Sequence, residues 1–563
     1  MNIKDLIIEL LPKDEKLEIL KNLITETADS LKGDYCLPCF ALSKIEHKAP
    51  NIIAEELKEK LNHSEVVEKV EVVGGYLNFF LNKEAISKTI IAEVLENKQE
   101  YFKSNIGNGK IICIDYSSVN LAKYMHIGHL KNTIIGESIA RICESLGFKV
   151  VRINYIGDYG TPFGKIIAGY KLWGNKADVD DRGIDALQEL YVKFNQEAEN
   201  DESLNELARS IFKNIELKLG EDYDLYQWII KIAIHEAKRL LDILGVKFDS
   251  WRGEAYYSDK LPDTINYLNQ KGLVKESEGA LIVDLEKFDM PPCLVRRSDG
   301  ASLYATRDIA AAIDRYENYK FDKMFYVTGH EQMLHFKQIF KVLELANEPF
   351  SENLEHIHYG LFSLPTGKIS SRKGKQAPLV DIMNYSLEKA KEVIKDRKFE
   401  IEKPEDVALK VSRAAMNFSA LKVEVGKDCV FDIDKAFSFD GETAPYMQYT
   451  FTRIESILRK ASELNLDSEA DYTCLNSFEA FELIKECNSV KNSIVSAFEK
   501  REPSIIVKKA MDICKILNKF YSITKVLDGS NAEIKAKIEL LLVVKFALSC
   551  LFNLMCIDTL KEM

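Results

Sequence analysis

The chain has no apolar run near the roughly 18 residues a membrane span requires. Its first residues, Met1-Asn-Ile-Lys-Asp-Leu, alternate charge with apolar side chains and lack a signal-peptide core. These absences predict a cytoplasmic protein with no membrane partner. Glycines never gather into a Walker-type cradle, which excludes a P-loop. The eleven cysteines are odd in number and scattered, the pattern of reduced thiols. Cys36-Leu-Pro-Cys39 is the only CxxC, and no second pair of similar spacing completes a zinc site. The pair is read as two packed thiols, and no structural zinc is expected. No low-complexity linker or internal repeat is visible. Positive charge is in deficit, with a net charge of −12, which argues against indiscriminate nucleic-acid binding. Phosphate contacts depend on local patches, however, and Lys368, Arg372, Lys373 and Lys375 lie together with no acid between them.

A length of 563 residues allows several domains, each with its own core. An apolar fraction of 46% with 29% charged residues is ordinary for a globular protein. Residues 1–108 read as an α+β domain, with helical spacing over Ile3–Leu11, Leu17–Leu31 and Ile52–Leu61. Val66–Val73 and Tyr76–Leu81 read as a hairpin around Gly74-Gly75. Residues 109–383 read as a doubly wound parallel α/β sheet, interrupted by a charged helical insertion over about 170–291. In the insertion, Asp185–Leu219 and Leu225–Leu244 are predicted as long amphipathic helices whose charged faces are solvated and carry no chemistry. The second half of the sheet is expected to begin near Leu294. Residues 384–563 read as all-α, with Ile538–Leu554 as a core helix.

The chemistry centres on Asp115-Tyr-Ser-Ser-Val-Asn-Leu-Ala-Lys-Tyr-Met-His-Ile-Gly-His-Leu130. Lys110–Asp115 reads as a buried parallel strand, and Leu130–Gly147 has helical period with Gly147 as its stop. The stretch is therefore a loop at the carboxyl end of a strand, running into a helix N-terminus, where open α/β sheets hold phosphates. His126 and His129, three apart, present both rings on one side of the first turn. Gly128 removes a side chain so that a flat base can approach the backbone. Lys123 adds a positive charge just before. Lys149–Asn154 reads as the next strand, followed by a turn-rich loop, Gly157–Gly164. Asp308 is read as the N-cap of a helix over Ile309–Tyr316. Lys323–His330 reads as a buried strand, and Gln332 and His335 open the helix after it.

His126-Ile-Gly-His129 resembles the HIGH signature of class I aminoacyl-tRNA synthetases. The longer string, Ser117-Ser-Val-Asn-Leu-Ala-Lys123 and then His126-Ile-Gly-His-Leu130, closely resembles arginyl-tRNA synthetases. Gly75-Tyr-Leu-Asn-Phe79 resembles that family's N-terminal tRNA-contacting domain. Thr443-Ala-Pro-Tyr-Met-Gln-Tyr449 resembles the start of its anticodon-binding domain. Gly157-Asp-Tyr-Gly-Thr-Pro-Phe-Gly164 departs from the family phrase at Tyr159 and Pro162, so no ligand role is carried onto Pro162. The resemblance implies an arginine–tRNA ligase. ATP, with Mg²⁺ on its phosphates, activates L-arginine to arginyl-adenylate, and the arginyl group then passes to tRNA(Arg). A monomer is expected. His126, Gly128, His129, Gly360, Lys368 and Ser370 are the implied ATP-binding residues, with Lys123, His126, His129 and Lys368 catalytic. Lys368-Ile-Ser-Ser-Arg372 resembles the second class I signature but has Ser371 where a lysine is usual, and Lys123 is the implied substitute. By the same resemblance Asp308 and Tyr304 hold the guanidinium, Asp115 and Asn120 the α-amino and carboxylate end, and Gln332 lines the pocket. Other class I specificities are disfavoured by the missing zinc ligands and by the N-terminal domain. The alternative is a catalytically silent paralogue that binds arginine or tRNA as a regulator.

Overall fold

A computed structural model describes residues 3–27, 32–62, 64–298, 304–365, 377–395 and 402–563. The N-terminal unit contains α1 (Ile3–Leu10), α2 (Leu17–Leu23), β1 (Thr25–Glu26), β2 (Tyr35–Pro38), α3 (Phe40–Glu46), α4 (Pro50–Glu59), β3 (Val67–Val73) and β4 (Tyr76–Leu81). Its antiparallel sheet runs β1-β2-β4-β3. The hairpin between β3 and β4 turns on Gly74 and Gly75, both at positive φ, the two-residue geometry that matches strand twist. The helix expected over Leu17–Leu31 stops at Leu23. Ile24 is extended, and Thr25 and Glu26 pair with Cys36 and Tyr35, so sheet pairing overrides the apolar spacing.

After α5 (Lys83–Asn97) comes the central sheet: β5 (Ile111–Asp115), α6 (Ile127–Ser145) and β6 (Lys149–Ile153). The loop after β6 ends at Gly160, because Thr161–Gly164 already form the first turn of α7 (Thr161–Trp173). Pro162 is tolerated there since a first-turn N–H has no intrahelical acceptor. Then follow α8 (Lys176–Arg182), α9 (Ile184–Ala198), α10 (Glu202–Glu216), α11 (Gly220–Leu244), α12 (Glu254–Ser258) and α13 (Leu261–Gln270). The single helix expected over Asp185–Leu219 is two. The chain breaks at Asn200-Asp201, and Asp201 caps α10 by accepting from the Ser203 N–H.

Strands β7 (Val274–Ser277), β8 (Ala280–Val283) and β9 (Cys293–Arg296) form a separate antiparallel sheet. The strand at Leu294 therefore belongs to the insertion, not to the second half of the parallel sheet. That half consists of α14 (Tyr304–Tyr319), β10 (Lys323–Gly329), α15 (Met333–Leu345) and β11 (Leu354–Tyr359). The parallel order is β11-β10-β5-β6. Ile112, Cys113 and Ile114 in β5 and Met324–Val327 in β10 are buried, the near-continuous apolar run of strands covered on both faces.

The remaining chain is β12 (Phe362–Ser363), α16 (Leu379–Lys395), α17 (Pro404–Leu421), β13 (Cys429–Val430), α18 (Ile433–Ala436), α19 (Ala444–Ala461), α20 (Phe478–Asn488), α21 (Val490–Lys500), α22 (Ser504–Ile523) and α23 (Asn531–Leu554). No described helix is long and apolar enough to cross a membrane.

Helix α6 is the hub. Gly136 lets it lie on Tyr116, where a Cβ would come within 2.2 Å of the ring. Glu137 is buried between Arg141 at 2.7 Å and Arg152 at 3.0 Å, and it accepts from the Tyr116 hydroxyl at 2.6 Å. Ser138 donates to the Leu554 carbonyl at the end of α23. Lys131 is fully buried, and its ammonium donates to the carbonyls of Gly360 at 2.9 Å and Lys427 at 2.8 Å.

Candidate active site

The loop after β5 is built with backbone strain. Ser117 and Ser118 both have positive φ, which costs a side-chain-bearing residue on the order of 1–2 kcal/mol. Asn132 accepts from the Ser117 N–H at 3.0 Å, and Thr133 donates to the Ser117 hydroxyl at 3.0 Å, so α6 holds the bend in place. Asn120 is exposed. Its side-chain oxygen accepts from the Ala122 N–H, and the backbone of Val119–Leu121 pairs with Gly157 across the β5–β6 seam. Gln188 of α9 donates to the Ala122 carbonyl at 2.8 Å. A cavity of about 30 Å³ lies behind the loop, bounded by Asn120, Lys123 and α11. It has room for a water or two but not for a larger ligand.

His126 and His129 close the start of α6 as a reciprocal capping box. The Gly128 N–H donates to His126 Nδ1 at 3.1 Å, and the His126 N–H donates to His129 Nδ1 at 3.0 Å. With both Nδ1 atoms accepting, each ring carries its proton on Nε2, which is left as a donor. Burial lowers the His129 pKa to about 3, helped by the neighbouring His126. Burial and the Lys123 charge also lower that of His126. The pair is therefore neutral at physiological pH, with ring centroids 3.9 Å apart. A Cβ at Gly128 would crowd the His126 ring at 3.0 Å, so glycine keeps this ring in its capping position. Lys123 is exposed just outside the pair.

A second group of polar side chains lies along the same carboxyl edge of the sheet. Asp115 ends β5 and is buried 2.7 Å from Arg315. Burial pushes its carboxyl up against the pull of Arg315. An arginine keeps its proton in proteins, and Asp115 helps to hold this one charged against its burial. Asp308 is not a helix cap: the described part of α14 already runs from Tyr304, so Asp308 lies inside the helix. The Asp308 carboxylate lies 2.6 Å from His335 Nε2 at the start of α15. Its charge adds to the upward shift of the Asp115 and Glu254 carboxyls.

Glu254, the first residue of α12, was missed in a stretch read as chemically silent. It lies 3.6 Å from Arg307, and burial raises its pKa to about 7, with Asp308 and Asp158 adding to the rise. Its only sequence signal is an acid directly after Arg252-Gly253. Asp158, raised to about 6 by burial, accepts from the Ala255 N–H at 2.8 Å and so orients α12.

The other expected residues are distributed unevenly. Tyr304 opens α14 and is 65% exposed, and Gln332 is exposed just before α15. Gly360 is buried against the turn at Lys427-Asp428, where a Cβ would meet the Lys427 carbonyl carbon at 2.5 Å. Its N–H donates to Val425 and its carbonyl accepts from Lys131, so its hydrogen bonds are spent inside the protein. Lys368 and Ser370, with the basic patch Arg372, Lys373 and Lys375, lie outside the described residues. Downstream of that segment the chain returns to the histidine pair: the Leu379 N–H donates to the Met125 carbonyl at 2.7 Å, and Pro378 bridges to His126. No group of three or more His, Cys, Asp or Glu among the described residues is arranged to hold a metal ion.

A parallel sheet whose carboxyl edge carries neutral imidazole donors at one helix start and grouped acids beside them is the architecture of class I aminoacyl-tRNA synthetases. The family described as "tRNA synthetases class I (R), catalytic domain" matches residues 90–433. The arginyl tRNA synthetase N-terminal domain matches residues 1–81, and the DALR anticodon binding domain matches 447–563. The chain belongs to the arginyl-tRNA synthetase family. It is 42% identical to the arginine–tRNA ligase of Clostridium perfringens and 40% identical to that of Halothermothrix orenii, in each case over 100% of both chains. Its fold matches the Thermus thermophilus arginyl-tRNA synthetase with a TM-score of 0.82 at 23% identity, covering 100% of both chains. The Plasmodium falciparum arginyl-tRNA synthetase matches with a TM-score of 0.78 at 22% identity, over 96% of this chain and 94% of that one.

Proposed function

We propose that the chain ligates L-arginine to tRNA(Arg) at the expense of ATP, acting in the cytoplasm as a monomer. The observation that carries this reading is the neutral His126–His129 pair at the start of α6, on a sheet edge that also holds Asp308, 2.6 Å from His335, and Glu254, 3.6 Å from the Arg307 that precedes Asp308. Arginine's planar fork of donors pairs with carboxylates, and a buried acid left unpaired by lysine or citrulline would be costly. Asp308, Glu254 and Tyr304 take the guanidinium. The Asn120 amide is the accessible group for the α-amino and carboxylate end, with Gln332 beside it. Asp115, already held by Arg315 and Ser118, frames that end.

In the first step the arginine carboxylate attacks the α-phosphate of ATP and pyrophosphate leaves. Negative charge gathers on the phosphates, so catalysis is mainly positioned donors and positive charge. The Nε2–H groups of His126 and His129, the Lys123 ammonium and, in the segment outside the described residues, Lys368 and Ser370 supply them. Gly128 leaves room for the base. Mg²⁺ travels with the triphosphate. In the second step a terminal hydroxyl of tRNA attacks the arginyl carbonyl of the adenylate, the bond to the phosphate breaks, and AMP leaves.

A groove of about 340 Å³ in the helical domain, lined by Tyr449, Arg453, Arg459 and Lys561, suits the anticodon, because aromatic faces stack bases and cations meet phosphates. Charging total tRNA with each of the twenty amino acids tests the reading, with arginine alone expected to be transferred. Arginine binding without charging would leave a regulator instead. Asp308→Ala should abolish arginine activation, and ordinary arginine affinity in that variant would remove the assignment.

A further inference from the structure

We propose that Asp314 is a positioning residue for amino-acid selection: through Arg252, Tyr257 and Lys260 it fixes the short helix α12 so that Glu254 stands beside Asp308. This deepens the reading of Asp308 and Glu254 as guanidinium ligands and rests on it.

Helix α12 is five residues long, far too short to hold a position by its own hydrogen bonds. Two anchors hold it. At its start the Glu254 N–H donates to the Ile156 carbonyl at 3.0 Å, and the Ala255 N–H donates to Asp158. Gly253 is required for this approach, since a Cβ there would sit 2.3 Å from the Ile156 carbonyl oxygen. The second anchor is Asp314. Arg252 donates to Oδ2 at 3.1 Å, the Tyr257 hydroxyl to Oδ2 at 3.2 Å and the Lys260 ammonium to Oδ1 at 2.6 Å. These partners bracket Glu254 in sequence, one before it and two after it.

Asp314 also sits on the helix that carries Asp308. Arg307, Ala310, Ala311 and Asp314 recur at the spacing of one helical stripe, and that stripe faces α12. Arg307 Nε donates to the Ser258 hydroxyl at 3.2 Å, and Ala310 and Ala311 pack with the buried Tyr257 ring. The acid at 314 thus ties Glu254 and Asp308 into one rigid unit. Asp314 is 4% exposed. Burial works against its charge, but Lys260 and Arg252 hold its carboxyl below the usual range, so the clamp stays ionised. Among the described residues no second acid hydrogen-bonds to Arg252, Tyr257 or Lys260.

The test is steady-state aminoacylation by the full chain, with arginine and ATP varied in turn while the other substrates are saturating. Asp314→Asn should raise the arginine KM by about tenfold or more, with kcat and the ATP KM within about twofold of wild type. In a Glu254→Gln background the same substitution should add little, because it acts through the residue already removed. Lys260→Met, which removes one half-exposed partner, should raise the arginine KM in the same direction by less, and it serves if Asp314→Asn does not fold. An arginine KM unchanged in both Asp314→Asn and Lys260→Met, or an equal effect of Asp314→Asn with and without Glu254, would overturn the proposal alone. An unchanged arginine KM in Glu254→Gln would overturn the underlying reading and the proposal with it.

Discussion

Glu254 makes arginine binding depend on pH, and the direction follows from its surroundings. Its carboxyl is raised from the ordinary value near 4.5 to about 7, first by burial and then by Asp308 and Asp158, with Arg307 opposing. Holding it ionised in the empty fold costs on the order of 3 kcal/mol. A group raised in this way favours the folded state below its unfolded pKa, and that advantage is lost as pH rises through about 7. A bound guanidinium supplies the missing partner and draws the carboxyl back to its charged form, releasing a proton. Arginine affinity should therefore be highest above about pH 8 and fall towards about tenfold per pH unit below 7. Glu254→Gln removes one charge-assisted hydrogen bond, worth about 1.5–3 kcal/mol, or about 10- to 150-fold in affinity at high pH. The assay is calorimetric titration of arginine with tRNA present, at pH 6, 7 and 8, in buffers of different ionisation enthalpy so that released protons are counted. Wild type should release protons on binding near pH 7, and Glu254→Gln should bind weakly with little pH dependence. A flat wild-type profile, or the same slope in the variant, would refute the reasoning.

His126→Asn should keep the cap, since asparagine serves well at that position, yet lose the Nε2–H donor; thermal stability should hold while adenylation falls by about 10²-fold or more. Lys123→Ala should slow arginine-dependent pyrophosphate exchange by about 10²–10³-fold, and a rate within a few-fold of wild type would show that this charge is not the substitute for the lysine missing at Ser371. Glu137→Ala leaves Arg141 and Arg152 without their buried partner and should cost about 3–5 kcal/mol of stability in denaturant unfolding.

Elements whose residues are dictated locally were readable in the sequence. The apolar runs at β5, β6 and β10 appear where periodicity and composition put them, as do the glycine hairpin and the long helices α6 and α23. Tertiary context decided the rest. Leu17–Leu31 has helical spacing, but Thr25 and Glu26 find partners on β2. Asp308 has the composition of a cap, but it lies inside α14, whose described part already runs from Tyr304. The histidine pair was legible from spacing alone, though not its capping box, which depends on which ring nitrogen accepts. Glu254 was invisible because its meaning comes from a long-range approach of α12 to α14, and no local pattern encodes that.

The buried ammonium of Lys131 bears on whether the catalytic sheet can stand alone. It joins three points far apart in the chain: one of its two acceptors, the Lys427 carbonyl, comes from beyond α17, and the other, Gly360, is itself held there through the Val425 carbonyl. Ser138 likewise leans on Leu554, near the far end of the chain. A polypeptide stopped before Pro404 would leave this buried cation one acceptor short and unseat the stretch leading to Pro365, so the sheet should lose stability without the helical half.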